Sequence, residues 1–326
     1  MVGFPWKYSR SQKLVETATM TRQFNRYARP SILAAALFFS TLGFLAAPAS
    51  AREPYSQGRL WMVEAADAAP SYLVGTMHSA DPAIATPWPA LAQVMDRVDS
   101  VTVELVMDDA VMATMGQAMM LNDGRTLGDI AGPERMARIQ AVGAVYGFPP
   151  EALQRFRPWA ASMIFSVPPS EMRRQATGAP ILDNVLRLHA EGRGIPVYGI
   201  ETVEEQLGLF ADYSEADQLT MLDMTLEMQP QAEAQINELR KAWLAGDIGG
   251  LYDAAMDLPP TDSPELMDTF ITRLIQERNY RMAERITGLL DQGNALIAVG
   301  ALHLPGEEGL LALLEQAGYL VSPVGE

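Results

Sequence analysis

The sequence predicts an α/β fold, in which a central β-sheet is flanked by helices and interrupted by a large helical insertion. Short apolar runs with strand character recur at 59–64, 71–75, 100–107, 195–200, 295–299 and 319–324. Long stretches between them carry apolar residues at helical spacing. Two of the runs end in the same element, Gly-x-x-His, in which a glycine closes the run and a histidine follows three residues later.

Residues 1–51 are predicted to be a cleavable signal peptide. A basic segment precedes an apolar stretch at 32–47, and Ala49-Ser50-Ala51 has the small-x-small pattern of a cleavage site. We expect cleavage after Ala51, with Met20 as an alternative start. An uncleaved anchor is the other possibility, but the stretch is shorter than the about 20 residues that span a bilayer. Because the chain has no cysteine, export to a bacterial periplasm is favoured over a disulfide-forming extracellular space.

Residues 52–326 are predicted to form one domain, because no Gly-, Ser- or Pro-rich linker divides them. The whole chain carries 40 Asp and Glu residues against 24 Lys and Arg residues, a net charge of −16. Since the leader is basic, the domain itself is still more acidic. Such a surface argues against nucleic-acid binding and against adsorption to anionic lipid. After signal cleavage we expect no membrane contact and a peptide or small-molecule substrate.

The first part of the domain is predicted as two strands, a helix and a third strand. The runs 59–64 and 71–75 favour a hairpin with a turn at 67–70. His78 follows the second run in Gly75-Thr-Met-His78, and a helix is predicted over 90–98. The third run, 100–107, contains Glu104 between two apolar residues, where a buried strand favours an apolar side chain. Glu104 is therefore predicted to be a buried acid at this strand. The alternative is that it faces water on a half-exposed strand.

Two helical blocks, about 108–192 and 203–292, surround the short run 195–200. Glu201 follows that run, which again places an acid at a strand end. In the second block, a helix after Ser263-Pro264 carries Arg278 on its apolar stripe. A cation on a buried face requires a partner, and a structural ion pair or a bound substrate would both satisfy it.

The C-terminal segment is predicted as strand, helix and strand. The apolar run 295–299 favours a buried strand, Gly300 ends it, and His303 completes the second Gly-x-x-His. Pro305-Gly306 favours a turn, and Glu307 and Glu308 suit the first turn of the next helix.

Four predicted strand ends therefore carry His78, Glu104, Glu201 and His303. Ligands of open α/β sheets bind at the carboxyl ends of strands. Two imidazoles and two carboxylates at one edge form a ligand set for a divalent transition metal such as zinc, manganese, iron or cobalt. The chain has neither a Gly-x-Ser-x-Gly sequence nor a cysteine, so a covalent acyl-enzyme route has little support.

Several ordered motifs together closely resemble the TraB/GumN family. They are Leu73-Val-Gly-Thr-Met-His78, Val103-Glu104-Leu, Tyr198-Gly-Ile-Glu-Thr202 with Glu205-Gln206, Trp243-Leu-Ala-Gly-Asp247, Arg278-Asn279, and Val299-Gly-Ala-Leu-His-Leu-Pro-Gly306 with Gly318-Tyr319. The resemblance runs from about residue 59 to the C-terminus. That family is related to the Tiki metal-dependent proteases and, more distantly, to erythromycin esterase-like and haem-binding ChaN-like proteins. The resemblance implies an α/β fold with paired Gly-x-x-His elements around one site.

The leading hypothesis is an exported metal-dependent hydrolase that acts on a peptide bond. His78, Glu104 and His303 would bind the metal, Glu201 would act as base or further ligand, and Arg278 would stabilise an anionic substrate or intermediate. A second hypothesis is a non-catalytic periplasmic binding protein for a peptide or a haem-like ligand. A third is an inert structural module whose polar residues are hydrogen-bonded in the core.

Overall fold

A six-stranded mixed β-sheet organises the protein in a computed structural model, which describes residues 54–258 and 261–325. The predicted signal peptide, residues 1–51, lies outside the described residues. The strands are β1 (Leu60–Glu64), β2 (Ser71–Thr76), β3 (Ser100–Val103), β4 (Val197–Gly199), β5 (Ala295–Gly300) and β6 (Leu320–Pro323). Their order across the sheet is β4-β3-β5-β2-β1-β6.

The four strands β4, β3, β5 and β2 run parallel to one another, while β1 is antiparallel to both β2 and β6. β5 lies between β3 and β2, and its residues 295–299 are all buried, as expected of a central parallel strand. Since parallel strands end on the same side, the carboxyl ends of all four meet at one edge. The predicted α/β class and the hairpin of β1 and β2 are confirmed.

Helices make up most of the remaining chain. They are α1 (Pro82–Ala85), α2 (Pro89–Met95), α3 (Asp109–Ala118), α4 (Leu127–Val145), α5 (Pro150–Leu153), α6 (Pro158–Ser166), α7 (Pro169–Ala176), α8 (Leu182–Gly192), α9 (Val203–Ala211), α10 (Glu215–Met228), α11 (Ala232–Leu244), α12 (Ile248–Met256), α13 (Pro264–Ile271), α14 (Glu277–Gln292) and α15 (Leu310–Gln316). A π-helical turn, Thr272–Gln276, joins α13 to α14, and the 3-10 turn Ala301–His303 follows β5.

The helices divide their apolar side chains between two cores. Helices α2, α8, α14 and α15 pack against the sheet, and Trp243 of α11 is fully buried there. The second core is helical, with α4, α6, α9 and α10 as its main contributors. The helical insertion thus has its own buried apolar cluster, which contains Met136 and against which Met115, Met119, Met120 and Met163 pack.

Several predicted boundaries differ from the structure. The third strand ends at Val103 rather than residue 107, so Glu104 lies just beyond it. The last helix begins at Leu310, because Glu307 and Glu308 form a turn before it rather than its first turn. The short edge strand β4 covers only three residues, and Thr202 immediately caps α9 through a reciprocal pair of hydrogen bonds with Glu205.

Candidate functional site

The carboxyl edge of the parallel strands brings four of the five predicted site residues to one cavity. His78, Glu104, Arg278 and His303 all line a cavity of about 250 Å³, together with apolar side chains such as Leu239 and Leu274. The two histidines, far apart in the sequence, therefore face a shared space. The fifth residue, Glu201, lies behind Arg278 and does not line this cavity.

The glycines of the two Gly-x-x-His elements allow close approaches that build the site. A Cβ on Gly75 would lie 2.8 Å from Leu304 Cδ1 and 3.1 Å from the Ala301 Cβ, so only glycine lets the turn after β5 pack across β2. A Cβ on Gly300 would lie 3.2 Å from Glu104 Oε1. The backbone N–H of Gly300 donates to that same oxygen at 2.6 Å. The second glycine thus leaves room for the carboxylate it binds.

His303 has its orientation and tautomer fixed by Asn279. The Nδ2 group of Asn279 donates to the carbonyl of Glu308 at 2.8 Å, which turns its Oδ1 toward His303. Oδ1 lies 2.6 Å from His303 Nδ1. Because an amide oxygen only accepts, Nδ1 carries the proton and donates to it. Nε2 is then the nitrogen with a free lone pair, and it lies 3.9 Å from Glu104 Oε1.

Burial keeps the His303 imidazole neutral. The ring is only 3 % exposed, and burial lowers its pKa to about 4, an effect that the negative charge of Glu104 opposes and the positive charge of Arg278 reinforces. At neutral pH the side chain is therefore an uncharged imidazole with one available nitrogen. This is the form in which histidine binds metal ions.

Glu104 is ionised despite its burial. Burial alone would raise its pKa, but His303, Arg278, His78 and the N–H of Gly300 lower it to about 2. Because His303 is neutral at neutral pH, the permanent positive charge beside Glu104 is Arg278, whose Nη2 lies 2.5 Å from Oε2. Oε2 of the carboxylate therefore accepts from the guanidinium, and Oε1, the oxygen nearer His303, accepts from the Gly300 N–H.

Glu201 serves as the main anchor of Arg278. Its side chain is fully buried and accepts hydrogen bonds from Arg278 Nε and Nη2, from Arg281 Nη2 at 3.0 Å and from Gln206 Nε2 at 3.2 Å. Burial would raise its pKa, but these donors lower it below its usual range. Both carboxylate oxygens are thus occupied by protein donors. The role of Glu201 as a base stays a prediction, and these contacts favour a positioning role instead.

His78 lies on a loop that a buried carboxylate holds in place. Glu171 is 1 % exposed, accepts from Ser79 Oγ at 3.0 Å and Ala80 N at 2.8 Å, and is paired with Arg240. The loop backbone is fixed, but the His78 side chain is 63 % exposed. Its Nε2 lies 3.8 Å from Asp183 Oδ1 rather than beside Glu104.

Asp183, in the first turn of α8, is an acid of this site that was not singled out from the sequence. Thr76 Oγ1 donates to its Oδ1 at 3.0 Å. Its Oδ2 is buried and has no hydrogen-bond partner among the described residues. Burial raises the pKa of the carboxyl, an effect that the charge of His78 opposes. Asp183 also lines a second cavity of about 250 Å³, which it shares with His78 and Glu104.

The imidazoles and carboxylates of the site are suitable ligands for a divalent metal. They lie, however, as two separate pairs, His303 with Glu104 and His78 with Asp183, rather than as one group. Neutral imidazoles and carboxylates are standard ligands of zinc, manganese, iron and cobalt. His303 presents a free Nε2, and the buried Oδ2 of Asp183 lacks a partner. Within residues 54–258 and 261–325, no three His, Asp or Glu side chains are close enough together to hold one ion as placed. His78, Glu104 and His303 as metal ligands therefore stay a prediction.

Two members of the site, Asn279 and Asp183, were missed as site residues from the sequence. A signal for Asn279 exists, because it is spaced three and seven residues before Met282 and Ile286, on the buried side of α14. An amide on a buried stripe requires a partner. Asp183 gave no comparable signal, since an acid in the first turn of a helix is already explained by the helix dipole.

The fold and the site together define a mixed α/β protein in which two Gly-x-x-His turns meet an arginine and buried acids at the carboxyl edge of parallel strands. The chain belongs to the TraB/PrgY/gumN family, whose model matches residues 59–323. The family resemblance drawn from the sequence motifs is thereby confirmed.

Curated relatives of the chain include proteins named as metalloproteases. The chain is 25 % identical over 310 residues to "Metalloprotease TIKI1" of Danio rerio, covering 79 % of this chain and 62 % of that protein. It is 28 % identical over 190 residues to "Metalloprotease TIKI homolog" of Amphimedon queenslandica, covering 52 % and 37 %. The chain thus spans less than two thirds of the length of these relatives. Their names support a metalloprotease-like family and suggest a divalent metal.

No solved structure gives a significant match to the chain. None of the helices within 54–258 and 261–325 has both the length and the apolar character needed to span a bilayer.

Proposed function

We propose that the protein is an exported metal-dependent hydrolase that cleaves a peptide bond. The observation that carries this proposal is the arrangement of His303: a buried, neutral imidazole whose Nδ1 is bound to Asn279 and whose free Nε2 lies 3.9 Å from the ionised Glu104. His303, Glu104 and His78 would hold a divalent ion, of which zinc, manganese, cobalt and iron are the candidates. The metalloprotease names of the relatives support the reaction class.

Arg278 and Glu201 would assist a reaction at the metal ion. When bound, a divalent ion in such a site polarises a carbonyl and lowers the pKa of a water molecule. Arg278 lines the cavity and is held rigidly by Glu104 and Glu201, so its positive charge is in place before a negative charge develops on a substrate oxygen. Glu201 would then act through Arg278 as a positioning residue.

The apolar wall of the cavity suits the side chain of a peptide substrate. Leu239, Leu251 and Leu274 line it beside the polar groups, and apolar pockets with a few placed polar groups are typical of ligand sites. Export to the periplasm, with cleavage after Ala51, belongs to the same proposal and rests on the N-terminal sequence pattern.

The proposal is tested by metal analysis and peptide hydrolysis together. The purified protein is expected to contain a divalent metal and to cleave members of a peptide library, and a chelator is expected to abolish the cleavage. His78→Ala and His303→Ala should lose metal and activity. His189→Ala is the control, because His189 lies on α8 near Asp96 and outside both cavities. Metal content unchanged in both site variants would contradict the proposal.

A second candidate function is peptide binding without catalysis. The apolar wall and the anchored Arg278 would bind a peptide equally well if no reaction followed. A volume of about 250 Å³ favours a peptide side chain over a haem-like ligand, because a planar porphyrin is much larger. Turnover of any library peptide excludes the purely binding role, whereas saturable binding without turnover supports it. A Soret band on haem titration that is lost in His303→Ala would restore the haem alternative.

A further inference from the structure

Two cavities of equal size meet at His78 and Glu104. The cavity that these residues share with Arg278 and His303 is here called the His303 cavity. The cavity that they share with Asp183 is called the Asp183 cavity. Each has a volume of about 250 Å³, whereas cavities that hold a whole small molecule are typically about 300 to 1,000 Å³. Each is therefore sized for part of a ligand, such as one side chain of a peptide.

The two cavities have only His78 and Glu104 in common and are otherwise built from different elements. Helices α11, α12 and α14 contribute to the His303 cavity, whereas α3, α8 and α9 contribute to the Asp183 cavity. The His78 side chain, which belongs to both, is 63 % exposed. A peptide bound across His78 can thus place one side chain in each cavity.

The lining of the Asp183 cavity suits an uncharged side chain. Met107 and Met115 form part of its wall, and methionine side chains adapt to ligands of different shape. The amides of Asn184 and Gln206 add neutral donors and acceptors. The ionised Glu104 disfavours an acidic side chain, because like charges repel.

The position of Arg278 gives the two cavities a direction. In the hydrolysis of a peptide bond, the water oxygen bonds to the carbonyl carbon and the C–N bond breaks. The nitrogen keeps the electron pair and takes up the protons of the water. Negative charge develops on the carbonyl oxygen, which belongs to the residue before the cleaved bond. Since Arg278 lines the His303 cavity and not the Asp183 cavity, that residue lies on the side of the His303 cavity.

We propose that the Asp183 cavity is a second substrate subsite, which binds an uncharged side chain on the C-terminal side of the cleaved bond. The His303 cavity then binds an apolar side chain on the N-terminal side. This inference rests on the proposed hydrolase function and adds to it the direction in which the peptide is bound. The competing explanation is that the Asp183 cavity is only a packing gap between α3 and α8.

Widening each cavity separately tests the inference. Leu239→Ala removes part of the wall of the His303 cavity, and Met115→Ala removes part of the wall of the Asp183 cavity. Each variant is incubated with a mixed peptide library, and the cleaved bonds are identified by mass spectrometry. Small changes of fit in an apolar pocket alter selectivity about 10- to 200-fold. We therefore expect the preference for tryptophan over leucine to rise about tenfold or more, on the N-terminal side in Leu239→Ala and on the C-terminal side in Met115→Ala.

Each widened variant has a matched control on its own helix. Leu244→Ala on α11 and Met112→Ala on α3 remove exposed side chains that line neither cavity. Both should cleave the library like the unmodified protein. Should a widened variant fold poorly, Ala255→Leu narrows the His303 cavity and Met115→Trp narrows the Asp183 cavity. The preference should then shift toward smaller side chains on the same sides of the cleaved bond.

The outcomes separate the inference from the function on which it rests. An unchanged preference on the C-terminal side in the folded Met115 variant means that the Asp183 cavity is no subsite, while the hydrolase function stands. Changes on the opposite sides from those expected overturn the direction assigned through Arg278. Absence of cleavage by the unmodified protein overturns the function and the inference together.

Discussion

The Nδ1 atom of His303 lies 2.6 Å from the Oδ1 atom of Asn279, its neighbour on α14. Asn279 in turn is fixed by the carbonyl of Glu308. This chain of two hydrogen bonds decides which imidazole nitrogen faces Glu104, so a side chain outside the predicted ligand set determines what His303 can bind.

Replacement of Asn279 by leucine should weaken metal binding. Asn279→Leu keeps the branched shape of the side chain but removes the acceptor that fixes the His303 tautomer, and such changes typically cost 10- to 100-fold in metal affinity. Equilibrium dialysis measures the effect. Asn279→Asp, which keeps an acceptor for His303 but loses the donor to the Glu308 carbonyl, should lose less affinity than Asn279→Leu. Equal losses in both variants would show that the amide acts through packing and not through the tautomer.

The stability of the metal-free protein should fall as the pH falls below 6.5. The unfolded chain takes up a proton at His303 near its ordinary pKa of 6.5, whereas burial lowers the pKa in the folded chain to about 4. Between these values the unfolded state binds more protons, so acid favours unfolding. This imidazole alone should lower the free energy of unfolding by about 2 kcal/mol between pH 7 and pH 5.

Urea unfolding at several pH values measures this slope, the change of the free energy of unfolding with pH. His303→Asn should show a smaller loss between pH 7 and pH 5 than the unmodified protein, whatever its stability at pH 7. His189→Asn, which removes a partly exposed imidazole of α8 outside the site, is the matched control. A slope that survives in His303→Asn would mean that the His303 imidazole is not held neutral by burial.

Removal of Arg278 should destabilise the fold severely. Arg278→Met leaves Glu104 and Glu201 buried beside each other without their common cation, and breaking a buried pair in this way costs about 3 to 5 kcal/mol. Arg285→Met removes a partly exposed partner of Glu205 and should cost much less, because water screens that pair. Thermal or urea unfolding compares the two. Similar losses would show that the buried triad is no more important than a surface pair.

A methyl group on Gly300 should disturb the site, whereas one on Gly288 should not. Gly300→Ala places a Cβ 3.2 Å from Glu104 Oε1 and displaces the carboxylate from the Gly300 N–H. Loss of a hydrogen bond to a charged group costs about 1.5 to 3 kcal/mol. Gly288→Ala, in open space on α14, should stabilise by about 0.4 to 1 kcal/mol. Urea unfolding gives both values, and a fully stable Gly300→Ala would refute the close contact.

The location of the strands along the chain and of the two histidines just after them was predictable because both follow from local signals. The run 295–299 has the length and the continuous apolar character of a buried strand, and the glycine after it marks its end. Since parallel strands end on one side, the sequence placed His78, Glu104 and His303 at one edge. Their shared cavity follows from the topology, and no long-range contact had to be known.

The partners of the site residues were not predictable in the same way. That Glu201 is occupied by Arg278 and Arg281 depends on how α14 packs over the end of β4, which no local pattern encodes. The position of Asp183 depends on α8 approaching Thr76 from a distance of 107 residues in sequence. For the same reason the end of the third strand at Val103 was missed, because the run of apolar residues continues past the point where pairing stops.

The central position of β5 has a consequence for the order of assembly. This strand joins β3 to β2, and its residues, 295–300, come after both of those strands in the sequence. A nascent polypeptide that has not yet released this segment lacks the link between the two halves of its sheet, and it also lacks one of the paired histidines. The complete sheet therefore cannot form before residues 295–300 have been synthesised, whatever the state of the strands that precede them.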